Sequence, residues 1–118
     1  MPFEDIPSRL EDILDAIKDI EDFVSGRSFY DYQRDTMLRL AIERCVEIIS
    51  EASRHVPSDT KAKRPEVPWH SMADIGNVLR HACRSIDPHI MWEVATRHTL
   101  TLRAAVEQML HSIGPEEN

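Results

Sequence analysis

The chain has 118 residues and a formal net charge of −7, with 42% hydrophobic and 30% charged residues. That length holds one domain around one core, and that composition excludes an intrinsically disordered chain. Three glycines and 6% aromatic residues argue against a turn-rich β fold and a base-stacking sheet, and the acidic balance excludes broad electrostatic adhesion to nucleic acid while leaving a local basic patch open.

The N-terminal stretch MPFEDIPSRLEDIL carries Glu4 and Asp5 where a secretory leader needs positive charge. No uninterrupted apolar run approaches the ~20 residues that span a bilayer. Cys45 and Cys83 form no CxxC and fall on two separate helical stretches, a usage that suits a reducing compartment. The expectation is a soluble, cytoplasmic protein without membrane contact.

Residues 8–24 carry the clearest periodicity. Ile6, Leu10, Ile13, Ile17, Ile20 and Val24 recur at alternating steps of four and three, and Leu14 and Phe23 widen the stripe. This predicts an amphipathic helix started by Pro7-Ser8 and stopped by Gly26, with Glu11, Asp12, Asp15, Asp19, Glu21 and Asp22 on its outer side. Its seam resembles that of a coiled coil, so a neighbouring helix is expected to run nearly parallel to it. A second long helix is expected from about Asp31 to His55, with Met37, Leu38, Ala41, Cys45, Ile48 and Ala52 on one face and Ile42 and Ile49 beside it. Ala41, Ala52 and Ser53 are small enough to let another helix approach closely.

Residues 57–70, PSDTKAKRPEVPWH, hold three prolines and the basic residues Lys61, Lys63 and Arg64. They read as a basic, Pro-rich loop, more readily a solvated linker than a phosphate contact. Ser71 then opens a helix in a capping-box arrangement with Asp74, burying Met72, Ile75, Val78, Leu79 and Ala82. Asp87-Pro88 reads as an N-cap followed by proline in the first turn. From about His98 the pattern resumes through Leu102, Val106, Met109 or Leu110, and Ile113; Gly114-Pro115 ends it, and residues 114–118 form a short acidic tail. Strand signatures and internal repeats are absent from residues 1–118. The expected fold is all-α, a single antiparallel bundle of four to five helices.

Most candidate chemistry reduces to ordinary surface. The carboxylates of the first helix lie on a solvated face, and the six histidines include no HExxH pair, so no metal site is expected. The glycines are too scattered for a phosphate loop. One segment stands apart, Gly76-Asn77-Val78-Leu79-Arg80-His81-Ala82-Cys83-Arg84, a local positive spot between Asp74 and Asp87. With Val78, Leu79 and Ala82 inward, Asn77, Arg80, His81 and Arg84 fall largely on the opposite side. Arg80 and Arg84 are one turn apart and able to grip one phosphate, and His81 between them can move a proton near neutral pH. Spacing alone would equally describe an ordinary solvated helix face.

Four stretches carry a resemblance over almost the whole chain. They are the acidic first helix, LAIERCVEIISEASRHVP (Leu40 to Pro57), VPWHSMADIGNVLRHACRSID (Val67 to Asp87) and HIMWEVATRHTLTLRAAVEQML (His89 to Leu110). The chain resembles the HepT-like branch of the HEPN families, prokaryotic helical-bundle toxins encoded beside a minimal nucleotidyltransferase antitoxin in type VII toxin-antitoxin systems. The resemblance implies a HEPN-like fold and a homodimer whose motif helices meet across a cleft. It also implies metal-independent endoribonuclease cleavage of RNA there, with no cofactor.

The family motif is Arg, four to six residues, His, one residue, Tyr. His81 matches the His, and Asn77 matches the polar residue that usually follows the Arg. Gly76 stands five positions before His81, Ile75 and Asp74 before that, and Cys83 stands at the Tyr position. The resemblance makes His81 the acid/base, Arg80 the stand-in catalytic guanidinium, and Arg84 and Asn77 substrate-binding residues. Losing a phosphate clamp of this kind costs ~2–4 kcal/mol of transition-state stabilisation, so activity depends on whether Arg80 or Arg84 reaches the same oxygens. The family's antitoxin can attach AMP to the motif Tyr. Cys83 has no phenol, so silencing would fall to another residue such as Tyr30 or Tyr32, or to masking. The alternative reading is a catalytically degenerate HEPN protein serving as a binding partner of a nucleotidyltransferase. A plainer third is a helical dimer without chemistry of its own.

Overall fold

The computed structural model describes residues 6–81 and 87–113, with the backbone alone for His81 and Ile113. Among the described residues the regular structure is entirely helical. The first helix, α1 (Ile6–Val24), buries Leu10, Ile13, Ala16, Ile17 and Ile20, as its four-three spacing predicts. It starts ahead of Ser8 because Pro7 sits in the first turn, where a missing N–H leaves no bond unmade. Gly26 ends it at φ +72, a left-handed conformation that glycine adopts without a Cβ penalty.

The helix expected from Asp31 to His55 is two helices, α2 (Phe29–Arg34) and α3 (Thr36–Arg54). Ser28 and Asp31 form a reciprocal capping box at the start of α2. Asp35 makes the break. Its extended backbone donates to the Asp31 carbonyl while its carboxylate accepts from the Leu38 amide at 3.1 Å, so one residue ends one helix and caps the next. The break also corrects the buried face. Met37 is 80% exposed, and Leu38, Ile42, Cys45, Val46, Ile49, Ala52 and Ser53 point inward instead.

Residues 57–70 are less loop-like than their prolines suggest. Ser58–Ala62 form a short helix, α4, and α5 (Trp69–His81) begins before Ser71. The Trp69 indole donates to the Arg64 carbonyl at 3.1 Å, which pins the turn ahead of α5. Asp74 faces His70, with 3.4 Å between Nε2 and Oδ2, and no capping box forms at Ser71. Asp87 does cap α6 (Pro88–Glu93), accepting from the His89 amide at 2.9 Å.

From α6 the chain continues through a π-helical turn, Val94–His98, into α7 (Thr99–Ile113). A π turn inserts one residue and shifts the phase of the buried face. That is why the pattern lapses after Ala95 and resumes with Leu102, Ala105, Val106 and Met109 buried. Thr96 and Thr99 hydroxyls donate to the Trp92 and Ala95 carbonyls at 2.7 and 3.0 Å around this widened turn.

The helix α1 lies between α3 and α7, and α3 carries α5 on its other flank. The short α2 is pinned on α6 by aromatic contacts, with the Phe29 and His89 rings 4.2 Å apart and those of Tyr32 and Trp92 5.5 Å apart. Arg103 on α7 reaches both Glu21 of α1 and Glu107, fixing one of the acidic outer positions. No helix among the described residues is long and apolar enough to cross a membrane.

Candidate functional site

The described part of the positive spot, residues 76–81, lies on α5 where that helix packs against α3. A close approach to α3, expected at Ala41, Ala52 and Ser53, is found at Ser50, which meets Gly76. A Cβ built on Gly76 would stand 2.0 Å from Ser50 Oγ and 2.5 Å from Ser50 Cβ. Position 76 is therefore filled by the neighbouring helix. A side chain there would require Ser50 to move.

Arg80 covers this point. Its Nη1 lies 3.5 Å from where the Cβ of residue 76 would begin, because long side chains on a helix lean back toward its N-terminus. The guanidinium donates to Asn77 Oδ1 at 2.9 Å and faces Glu51 Oε1 at 3.8 Å. Glu51 also meets His55, with 3.1 Å between Oε2 and Nε2. A second guanidinium arrives from α3, where Arg54 Nη1 donates to the same Asn77 oxygen at 3.4 Å. Beside them, between α1 and α3, opens a cleft of about 310 Å³ lined by Arg9, Asp12, Arg44, Glu47, Glu51 and Arg80.

Of the four expected site residues, Asn77 and Arg80 are brought together on the exposed side of α5. His81 occupies the last turn of α5. Arg84, like Cys83 and Ala82, lies outside the described residues. Val78, expected inward, is 43% exposed; its place at the α3 contact is taken by Gly76, whose lack of a side chain permits the closest approach. Sequence reasoning missed Ser50, Glu51, Arg54 and His55. They share one face of α3 at steps of one and four, but nothing in one chain shows that this face meets α5.

The other candidates resolve more simply. Arg64 is held by Gln108 at 2.8 Å and Glu66 at 3.7 Å, and the Lys61 ammonium lies 5.8 Å from the centre of the Trp69 ring. Two of the three basic residues in 57–70 thus serve packing. Tyr32, one of the two phenols considered for AMP attachment, is 1% exposed. Its burial, reinforced by Glu43, pushes the hydroxyl up to about 12, and a phenol so enclosed cannot receive a nucleotide. Tyr30 is open, 61% exposed, with Arg34 bonded to its hydroxyl. Among the described residues no three His, Cys, Asp or Glu side chains converge to hold a metal ion.

Comparison with known proteins gives this geometry its context. The family model described as ribonuclease HepT-like matches residues 13–109. A "Probable ribonuclease HepT" of Thermococcus cleftensis is 36% identical over 100 residues, covering 85% of this chain and 91% of that protein. A Methanocaldococcus jannaschii protein named as a candidate RNase is 33% identical over 119 residues, covering 100% of this chain and 98% of its own length. A Caldanaerobacter subterraneus protein named in the same way is 32% identical over 101 residues, 86% of this chain and 90% of that one. No solved structure matches. With nearly the whole helical bundle inside the match, and relatives of the same length on either side of one-third identity, the chain belongs to the ribonuclease HepT-like family.

Proposed function

We propose that this protein is the toxin of a type VII toxin-antitoxin pair, an endoribonuclease acting on RNA in a cleft between two copies of the chain. In this reading His81 takes the proton of a ribose 2′-hydroxyl. The freed oxygen attacks the adjacent phosphorus, the bond to the 5′-oxygen breaks, and that oxygen leaves with a proton. The products are a 2′,3′-cyclic phosphate and a 5′-hydroxyl. The nucleophile is the substrate's own, so the chemistry asks of the protein an acid/base and a cation, and no metal. Arg80 serves as the cation, and Arg84 and Asn77 hold the strand. The observation that carries the proposal is the position of Arg80, whose guanidinium lies 3.5 Å from the point where a side chain at Gly76 would start. This supports the reading of Arg80, one turn further along the same helix, as the stand-in for the family's positive charge.

Purified protein incubated with single-stranded RNA and transfer RNA, beside a His81→Ala variant, tests this. Cleavage by the first and not the second is expected; equal traces from both would sink the nuclease. A minimal nucleotidyltransferase encoded beside it is the expected antitoxin. With Cys83 at the motif Tyr position, silencing would fall to attachment of AMP at another residue such as the exposed Tyr30, or to masking by the bound antitoxin.

A second reading has its own support. Gly76 and Cys83 replace two motif residues, and Glu51 stands 3.8 Å from Arg80, partly neutralising the replacement cation. A degenerate member acting only as a binding partner of the nucleotidyltransferase would co-purify with it and leave RNA intact.

A further inference from the structure

Asn77 Oδ1 receives two guanidiniums from two helices, Arg80 at 2.9 Å and Arg54 at 3.4 Å. Two like charges drawn to one neutral oxygen repel each other, and a carboxamide offers only a dipole in return. Glu51 is the only nearby carboxylate they meet among the described residues, reaching Arg80 at 3.8 Å while its other oxygen is taken by His55 at 3.1 Å. Among the described residues no carboxylate pairs with Arg54. The two guanidiniums thus have one carboxylate among the described residues, that of Glu51, within ion-pair distance, while Asp12 and Glu47 stand with Arg9 and Arg44 along the neighbouring cleft.

We infer that Arg54 and Arg80 together bind one phosphate of a single-stranded RNA backbone, with Asn77 as the residue that positions both guanidiniums. The planar fork of arginine matches the two non-bridging oxygens of a phosphodiester, and forks held from two helices can grip one oxygen each. Asn77 keeps them side by side when the site is empty, and Glu51 acts as the internal anion that the phosphate displaces from Arg80. The inference rests on the reading that RNA is the ligand of this family member. It adds a residue of α3, far from the motif in sequence, and does not depend on cleavage. It also gives the packing at Gly76 a consequence. Because no side chain leaves position 76, the space beside Asn77 is open to a guanidinium arriving from α3.

The test uses a fluorescent single-stranded RNA oligonucleotide carrying 2′-O-methyl groups throughout, which removes the nucleophile and isolates binding. Anisotropy titrations at several salt concentrations compare the parent with Arg54→Gln, Arg54→Lys, Arg80→Gln, Glu51→Gln and Arg97→Gln, each checked for unchanged melting. Arg54→Gln and Arg80→Gln are expected to weaken binding roughly five- to twentyfold. The Arg54→Gln/Arg80→Gln double variant should also flatten the plot of log K against log salt by about 0.7, the loss of one phosphate contact on a single strand, and each single variant by part of that. Arg54→Lys should keep the slope, Glu51→Gln should tighten binding by about two- to fivefold, and Arg97→Gln should change nothing. An Arg54→Gln protein with parental affinity and slope overturns the inference, and so does a parent protein that does not bind. Unmodified RNA separates this from the nuclease. Arginine-dependent binding without His81-dependent cleavage removes the catalytic reading alone, whereas His81-dependent cleavage indifferent to Arg54 removes the clamp alone.

Discussion

Ser50 on α3 and Gly76 on α5 occupy one space between them, with Ser50 Oγ 2.0 Å from the place a Cβ of residue 76 would take. The pair decides what position 76 can hold. Gly→Ala inside an ordinary helix gains about 0.5–1 kcal/mol. Here Gly76→Ala is expected to lose about 1–3 kcal/mol by overpacking, read as a lower urea midpoint. Ser50→Ala should not rescue it, because Ser50 Cβ is itself only 2.5 Å from that point. Ser50→Gly should, so the two substitutions are expected to be strongly non-additive. In the Ser50→Gly background the nearest remaining neighbour of a Cβ at position 76 is the mobile end of Arg80 at 3.5 Å, and a Ser50→Gly/Gly76→Arg double variant should cleave RNA faster than the parent if the proposed chemistry holds.

Asp35 offers a local test of the break that divides the expected second helix. It caps α3 with its carboxylate and α2 with its backbone. Asp35→Ala should cost about 1 kcal/mol, and Asp35→Asn only a fraction of that, since the amide oxygen can still accept from Leu38. Chemical denaturation of the three proteins measures the order.

Tyr32 sets an alkaline limit on stability. Burial holds its phenol protonated up to about 12 in the folded protein, against about 10 in the unfolded chain. An acid whose folded value is raised stabilises fully below the unfolded value and loses that contribution as pH climbs toward the folded one. Between pH 10 and 12 the loss should reach about 2–3 kcal/mol. Tyr32→Phe keeps the ring against Trp92 and removes the titration, so its stability should fall less steeply over that window.

Cys45 is buried between α3 and α1, and desolvation, with Asp19 adding to it, raises its thiol above the ordinary range. Thiolate being the reactive form, Cys45 in a Cys83→Ser background should resist a thiol reagent in the native state. Full reaction should appear only in denaturant. Rapid native labelling would place the α1–α3 packing in question.

The sequence by itself determined the all-helical class, the buried stripe of α1 and the Asp87 cap. Each of these comes from spacing within one helix, where a turn of backbone fixes which residues share a face. It also carried the family resemblance. Tertiary structure alone decided the rest, because the remaining questions concern faces that meet from different helices. A one-residue break at Asp35 and a π turn at Val94–His98 each interrupt a helical run that spacing alone treats as continuous, and Met37, just past the first break, faces solvent. Only the crossing of α3 over α5 reveals that Gly76 is a seat for Ser50 and that Arg54 and Arg80 share one oxygen. Those contacts join residues 23 to 26 positions apart in sequence, a separation that no local periodicity encodes.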